Sequence, residues 1–395
     1  MEVAEKRSSF RRISYFDKYR LKRRVIKQRK FINGKSVTKN RTIFIPVDKK
    51  FHVELLADAR KYFWMRGPGS FGSMRGINPQ EFMSRYAGAD LCMQCDIANY
   101  FPSITAEMAE EAIKKYTSLP RDAEGQYTIM ELLRSSFAST PLGGILAQGT
   151  NAAPLIANCV GTEIDLKMRA IIRKEIALVS AKYEYIHKTA CMLCNTTVSP
   201  KAIEFIEEYL PAPSIDYARY VDNIAIFFWN FPDSFHHLKL AREIDKASLV
   251  KACEPLVIES MRLRGRLWYK LQYVLYEMGL KINKDKTKFR RKYSARKPIS
   301  FVGMTLNARP RAAKKYIEKL RCELHQLACY WRDCLDKKAF IVKNPKYLQQ
   351  LKGRCVWVYS CDPQHQRINK PLLKAIDLES EVIGSRVLKS LRRFI

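Results

Sequence analysis

The chain of 395 residues carries 71 Lys and Arg against 39 Asp and Glu, a formal charge of +32, with 47% hydrophobic and 11% aromatic residues. That apolar content is enough to bury the cores of two or three domains and excludes a disordered chain, while the positive excess favours a polyanionic partner, nucleic acid ahead of an anionic membrane surface. No apolar run approaches the roughly 20 residues of a membrane span, and the start from Met1 to Arg7 lacks the apolar core of a signal peptide, so a cytoplasmic protein is expected.

In chain order, the first fifty residues hold a dense run of cations, among them Arg11, Arg12, Lys22, Arg23, Arg24, Lys27, Arg29 and Lys30, interleaved with Phe10, Tyr15, Phe16, Tyr19 and Phe31. The stretch reads as a partly helical basic arm whose aromatics either stack on unpaired bases or dock the arm on the body. Asn33 and Gly34 break it. Arg41 to Pro46 follows as a β-rich run stopped by proline, and Phe51 to Phe63 as an amphipathic helix. Gly67 to Gly72 is a glycine-rich loop whose neighbours Arg66 and Arg75 can meet a phosphate, although glycines alone say little.

Leu91 to Cys95 is a mostly apolar run that ends on Asp96. A carboxylate at the end of a buried strand is costly unless something pairs with it, which points to metal or catalytic chemistry. A helix-capping or turn aspartate is the plainer alternative, and Pro102 keeps it open. Pro141 to Asn158 is a glycine-rich loop feeding a helix of small residues, with Thr150 or Asn151 to cap it. Val160 to Leu210 is helical on both sides of an insert at Cys191.

Tyr217 to Phe228 reads as strand, tight turn, strand, with Asp222 and Asn223 forming a two-residue turn that lifts one carboxylate to its tip. Turn chemistry alone also accounts for that pair. Phe235 to Tyr276 is helical, Gly279 to Phe289 alternates like a strand, and Ile299 to Leu306 is another short strand. Beyond Arg309 the pattern turns helical, with Leu320, Leu324, Leu327 and Trp331 on one packing stripe. The 11 cysteines are an odd number without small-scaffold spacing and read as reduced. Cys191 and Cys194, with His187 before them, form the one close pair; a fourth zinc ligand is not placed nearby, so a loop or core pair is favoured and a metal stays open.

Taken in this order, from about Arg41 to Tyr359, the pieces resemble a bacterial reverse transcriptase. The run from Cys95 through Asp96 to Phe101 looks like the first palm motif. Gln148 and Gly149 through Pro154 and Asn158 look like the second, and Arg219 to Asn223 like the catalytic hairpin. Gly279 to Asn283 with Lys286 and Thr287, and Phe301 to Gly303, resemble the next two, and Leu351 to Tyr359 resembles the thumb. The resemblance implies an α+β, right-hand polymerase fold. A basic N-terminal arm spans 1–40, fingers 41–95, a palm with an antiparallel sheet 96–308, including part of the fingers and an insert near 183–200, and a helical thumb and tail 309–395.

The same resemblance implies two Mg²⁺ ions roughly 3.5 to 4 Å apart, one activating a primer 3′-hydroxyl and one clamping a triphosphate. Asp96 and Asp222 would hold them, with the backbone carbonyl of Ile97 as a third ligand. Lys286 would meet the phosphates or protonate pyrophosphate. Gln148 and Gly149, with Tyr220 and Asn223, would line the nucleotide pocket, and Arg41 would lie over the triphosphate. Phe101 would block a ribose 2′-hydroxyl and so select dNTPs, core packing being its other reading.

Departures from the family pattern are Asn223 in place of a second aspartate, which keeps an oxygen ligand but removes a charge, Ala147 where proline is frequent, and longer segments near Cys191 and from Phe235 to Tyr276. The chain ends soon after the thumb with no ribonuclease H, maturase or endonuclease segment and carries no Val-Thr-Gly tripeptide of the retron kind, so the resemblance narrows to the defence-associated and abortive-infection (unknown-group) reverse transcriptases. An RNA-directed DNA polymerase is thereby expected, adding dNTPs on a dedicated non-coding RNA template to make a DNA product in anti-phage defence. Template-independent or protein-primed synthesis stays open, as does a catalytically degenerate RNA-binding scaffold. A partner protein or homo-oligomer is left open, and no membrane partner is expected.

Overall fold

The computed structural model describes residues 20–32, 35–61, 70, 72, 78–117, 123–140, 143–197, 214–230, 246–292, 298–307, 309–333 and 345–361. Among them the fold mixes helices with antiparallel sheets. The chain divides into two compact units, the first made of Met1–Gly76, Met93–Ile226 and Phe231–Lys288, the second of Ile77–Cys92, Phe227–Asn230 and Phe289–Ile395.

The first unit opens with β1 (Leu21–Ile32) and β2 (Lys35–Pro46), an antiparallel ribbon in register from Leu21 opposite Pro46 to Ile32 opposite Lys35. This part of the basic arm is therefore strand and not helix. Val25 and Ile26 in β1 and Thr42, Ile43, Phe44 and Ile45 in β2 favour extended backbone. The cations Lys22, Arg23, Arg24 and Lys27 are exposed, so water screens their repulsion. Residues 1–19, and Asn33 and Gly34 between the strands, lie outside the described residues.

Helix α1 (Lys49–Ala59) starts where the Asp48 side chain accepts from the Phe51 N–H at 2.9 Å, and it buries His52, Leu55, Leu56 and Ala59 at helical spacing. Helix α2 (Pro79–Ser84) belongs to the second unit, and strand β3 (Leu91–Asp96) runs from the second unit into the first. In the first unit follow α3 (Tyr100–Ser103), α4 (Ala106–Tyr116), α5 (Ala123–Ser136), β4 (Phe137–Thr140) and β5 (Gly143–Leu146).

Helix α6 (Ala153–Thr197) is one unbroken element of 45 residues. Of the two candidate caps, Thr150 is the one in place, its hydroxyl accepting from the Ala153 N–H at 3.3 Å. The expected insert near Cys191 is continuous helical backbone as far as Thr197; the side chains of Cys191 and Cys194 and residues 198–213 lie outside the described residues. Helix α7 (Lys246–Glu277) packs along α6, where buried Glu175 receives Arg266 Nε at 2.9 Å and Lys270 Nζ at 2.5 Å.

Strands β6 (Ser214–Tyr220) and β7 (Asn223–Trp229) form the expected hairpin. They join β3 and β8 (Lys288–Arg291) in a four-stranded sheet of order β6-β7-β3-β8. The stretch Gly279 to Phe289, expected as one strand, instead holds a 3-10 turn at Lys284–Lys286 before β8. Backbone bonds from Asn283 and Ala98 fold it against the end of β3 and break its alternation.

In the second unit, Tyr86 stacks on Phe227 at 4.6 Å between ring centres, and Phe227 meets Phe301 edge-on at 6.1 Å. The expected strand Ile299 to Leu306 is a hairpin of β9 (Ser300–Phe301) and β10 (Met304–Thr305). Val302 and Gly303 turn it with φ of 49° and 79°, the geometry a two-residue turn demands and glycine accepts freely. After β11 (Arg311–Ala312), helix α8 (Lys314–Asp333) buries Leu320 and Leu324 of the predicted stripe. Helix α9 (Pro345–Cys361) adds Leu351, Cys355 and Val358, and Arg354 pairs with Glu323.

Candidate active site

The two carboxylates singled out from the sequence lie at the ends of neighbouring strands. Ile97 N–H donates to the Asp222 carbonyl at 2.8 Å, which ties the end of β3 to the tip of the β6–β7 hairpin. On the other side Asn283 N–H donates to the Asp96 carbonyl and Ala98 N–H to the Lys281 carbonyl, both at 2.7 Å. Asp96, Ile97, Asp222 and the segment from Lys281 to Lys286 thus form one cluster within the first unit.

Lys286 Nζ donates to Asp96 Oδ2 at 2.6 Å, and Asn223 Nδ2 donates to Asp222 Oδ1 at 2.9 Å. Burial, and after it the Asp96 carboxylate, push the Asp222 carboxyl above its ordinary range, while the cations of Lys286 and Arg41 oppose the shift. The two acids therefore feel one another, and Arg41 belongs to the same field.

Arg41 reaches the site from β2, where its Nε donates to Gln148 Oε1 at 3.1 Å. Phe44 N–H donates to the Gln148 carbonyl at 2.8 Å, so the ribbon and the Gln148–Gly149 loop are docked through backbone. Gly149 is needed there: its φ is 114°, and a Cβ would lie 2.6 Å from the Phe44 carbonyl oxygen. Phe101 sits half-buried on α3 beside Tyr100. The core position belongs to Tyr100, which is buried and donates to the Ala157 carbonyl at 2.6 Å. Tyr220 closes β6, half-buried, next to the turn.

The turn itself is displaced by one residue from the sequence expectation. Val221 and Asp222 form it, and Asn223 already opens β7. Val221 carries a φ of 58°, a region that a β-branched residue enters at a cost of about 1–3 kcal/mol. Its surroundings enforce this conformation. Arg219 Nη1 donates to the Val221 carbonyl at 2.9 Å, and Gly72 approaches so closely that a Cβ there would lie 2.8 Å from Val221 Cγ2.

Arg219 is wholly buried, as is its partner Asp165 on α6. Two parallel bonds join them, Nε to Oδ1 at 2.8 Å and Nη2 to Oδ2 at 2.9 Å, and Tyr217 Oη donates to Oδ1 at 2.9 Å. Asn158 accepts from the same guanidinium through its carbonyl and side chain and holds Ser70 and Gly72. Burial works against the Arg219 charge, but Asp165 outweighs it and raises the pKa above the ordinary value. Gly161 makes room: a Cβ there would lie 2.3 Å from Arg219 Cζ.

Arg219 was legible only as part of the hairpin segment, without a role of its own, and Asp165 and Gly161 were not singled out. The available signal was phase. Arg219 shares the inward register of β6 with Ile215 and Tyr217, and Asn158, Gly161 and Asp165 recur at helical spacing on α6.

Two neighbouring carboxylates, one of them, Asp222, with its charged form disfavoured by burial and then by the other, suit a divalent cation with oxygen ligands. Asp96 and Asp222 would hold it, with the Ile97 carbonyl beside them. Among the described residues no group of three or more His, Cys, Asp or Glu is arranged to hold a metal ion. No helix among the described residues is long and apolar enough to cross a membrane.

No family model matches the chain, and no curated protein matches it. Among solved structures it is similar to telomerase from Candida albicans in complex with a TWJ fragment of telomeric RNA, at 10% identity and a TM-score of 0.36 over 90% of this chain and 62% of that one. It is also similar to apo telomerase from Candida tropicalis, at 11% identity and a TM-score of 0.37 over 79% of this chain and 52% of that one. For the Candida tropicalis enzyme with the TWJ fragment of telomeric RNA the figures are 14% identity and 0.34, over 94% and 62%. The chain thus spans 52% to 62% of the length of these structures. A likeness at this level assigns no activity, and the site stands on its own geometry.

Proposed function

We propose that the protein is an RNA-directed DNA polymerase that adds dNTPs to a 3′-hydroxyl. The observation that carries this reading is the joining of Asp96 and Asp222 at the ends of adjacent strands, with Lys286 on one acid and the other pushed toward protonation by burial and then by its neighbour. Two Mg²⁺ ions, when bound, would supply Lewis-acid stabilisation of the attacking and leaving oxygens. Asp96 and Asp222 would hold them and the Ile97 carbonyl would assist.

The chain's own groups account for the rest. Arg41 and Gln148 form a polar wall against which a triphosphate and base can be oriented, and Gly149 keeps that wall close to the ribbon. Lys286, which donates to Asp96, would meet the phosphates or serve as the general acid for the leaving pyrophosphate. In this reading half-buried Phe101 would exclude a ribose 2′-hydroxyl, and Tyr220 and Asn223 would line the nucleotide pocket. The formal charge of +32 supports an RNA template and a DNA product as partners, and the reading extends to a dedicated non-coding RNA, a cytoplasmic setting and anti-phage defence.

The decisive experiment supplies the purified protein and its copurifying RNA with Mg²⁺ and labelled dNTPs. Incorporation is expected from the wild type and none from Asp96→Ala or Asp222→Ala; a protein that incorporates equally well without Asp222 overturns the assignment. Sequencing the product identifies template and primer together.

A further inference from the structure

We infer that Arg219, held by Asp165, is a positioning residue that sets the place of the Asp222 carboxylate; this rests on the polymerase reading of that acid. The guanidinium is divided between two tasks. Nε and Nη2 are engaged by Asp165 at 2.8 and 2.9 Å, which fixes the plane of the group against α6. Nη1 points the other way and donates to the Val221 carbonyl at 2.9 Å. Val221 is the strained residue, at φ of 58°, and the next residue is Asp222. The Asp222 carbonyl in turn accepts from Ile97 N–H at 2.8 Å, next to Asp96.

A chain of direct contacts therefore runs from Asp165 on the helix, through Arg219 and the turn, to both acids. A buried ion pair is by itself weak evidence for stability, since apolar pairs of similar volume often replace one without loss, whereas the strained turn needs a donor fixed in one position. Tyr217 and Asn158 fill the remaining acceptor and donor positions around the pair, and Gly161 leaves the room that the guanidinium plane occupies. Arg219 touches no substrate position, so its effect on chemistry passes through the turn.

The test uses two variants of the full chain. Arg219→Met with Asp165→Leu replaces the ion pair by apolar groups, and Arg219→Lys keeps the charge but loses the planar fork. Both are expected to melt cooperatively. In each, hydrogen exchange at the Ile97 amide should accelerate about tenfold or more, since its acceptor has moved. The kcat for dNTP incorporation should fall roughly 100-fold, as for a misplacement of about 1 Å, with KM for dNTP nearly unchanged.

A folded variant with wild-type exchange at Ile97 and wild-type kcat overturns the proposal, and so does failure of both variants to fold, which would give the pair a purely structural role. If the wild type incorporates no dNTP the polymerase reading fails by itself, and the exchange measurement still decides whether the clamp holds the turn.

Discussion

At the scale of single residues, Asp222 is held in a setting that resists its charge. Burial and the Asp96 carboxylate raise its pKa in the folded protein, so the folded state binds a proton more readily than the unfolded chain does. Stability from this group is fully present below the unfolded pKa and is lost as pH rises through the folded value. Asp222→Asn should therefore raise the melting temperature at neutral pH in metal-free buffer, with the gain shrinking as pH is lowered. Differential scanning calorimetry of both proteins across pH 4 to 8 checks the sign; a gain independent of pH would remove the electrostatic explanation.

Lys286 behaves in the opposite way. Its side chain is 51% exposed, so its ion pair with Asp96 contributes no more than about 1 kcal/mol. Lys286→Ala should leave the denaturant midpoint almost unchanged while lowering the incorporation rate by roughly 10²- to 10⁴-fold, as loss of a general acid does.

At the scale of elements, much was legible because period and composition agreed. Asp96 at the end of an apolar run, the apolar strands around Asp222, and Leu320 with Leu324 in one stripe all took their predicted places. The strand over Leu21–Ile32 was hidden because its clustered cations, Lys22 to Arg24 and Arg29 with Lys30, break the alternation of a β pattern, and the strand becomes visible only opposite β2. The turn residues were misplaced because Asp and Asn favour turns locally, whereas the turn here takes a donor from Arg219 whose guanidinium is held by Asp165, 54 residues away on α6. The same reach across the sequence docks the ribbon on the Gln148 loop. Gly149→Ala would force a Cβ against the Phe44 carbonyl at positive φ and should cost about 1–3 kcal/mol, read as a lower denaturant midpoint. It should also slow incorporation by shifting Gln148 and Arg41, whereas Gly144→Ala, where a Cβ meets open space, should do neither.

At the scale of the whole molecule, the charge of +32 is a statement about association. If about five phosphates of a single strand are neutralised, RNA affinity should fall about 100-fold between 50 and 200 mM salt. Filter binding across that range gives the slope, and a flat response would argue that the cations serve solubility alone. That the chain is globular, with cores to bury, was readable at this scale because apolar content is a summed property. The division into units that share strands β3 and β7 was not, because it depends on which distant segments pack together.

Gly161 carries a consequence for anyone engineering this chain. A glycine inside a helix costs about 1 kcal/mol relative to alanine, so a consensus or propensity-guided thermostabilisation would select Gly161→Ala among its first substitutions. The methyl group would enter the space of the Arg219 guanidinium. The stretch of α6 nearest the acids is thus closed to the simplest stabilising change, and a heat-resistant variant would have to draw its gain from exposed positions further along the helix, such as Leu166 or Leu178.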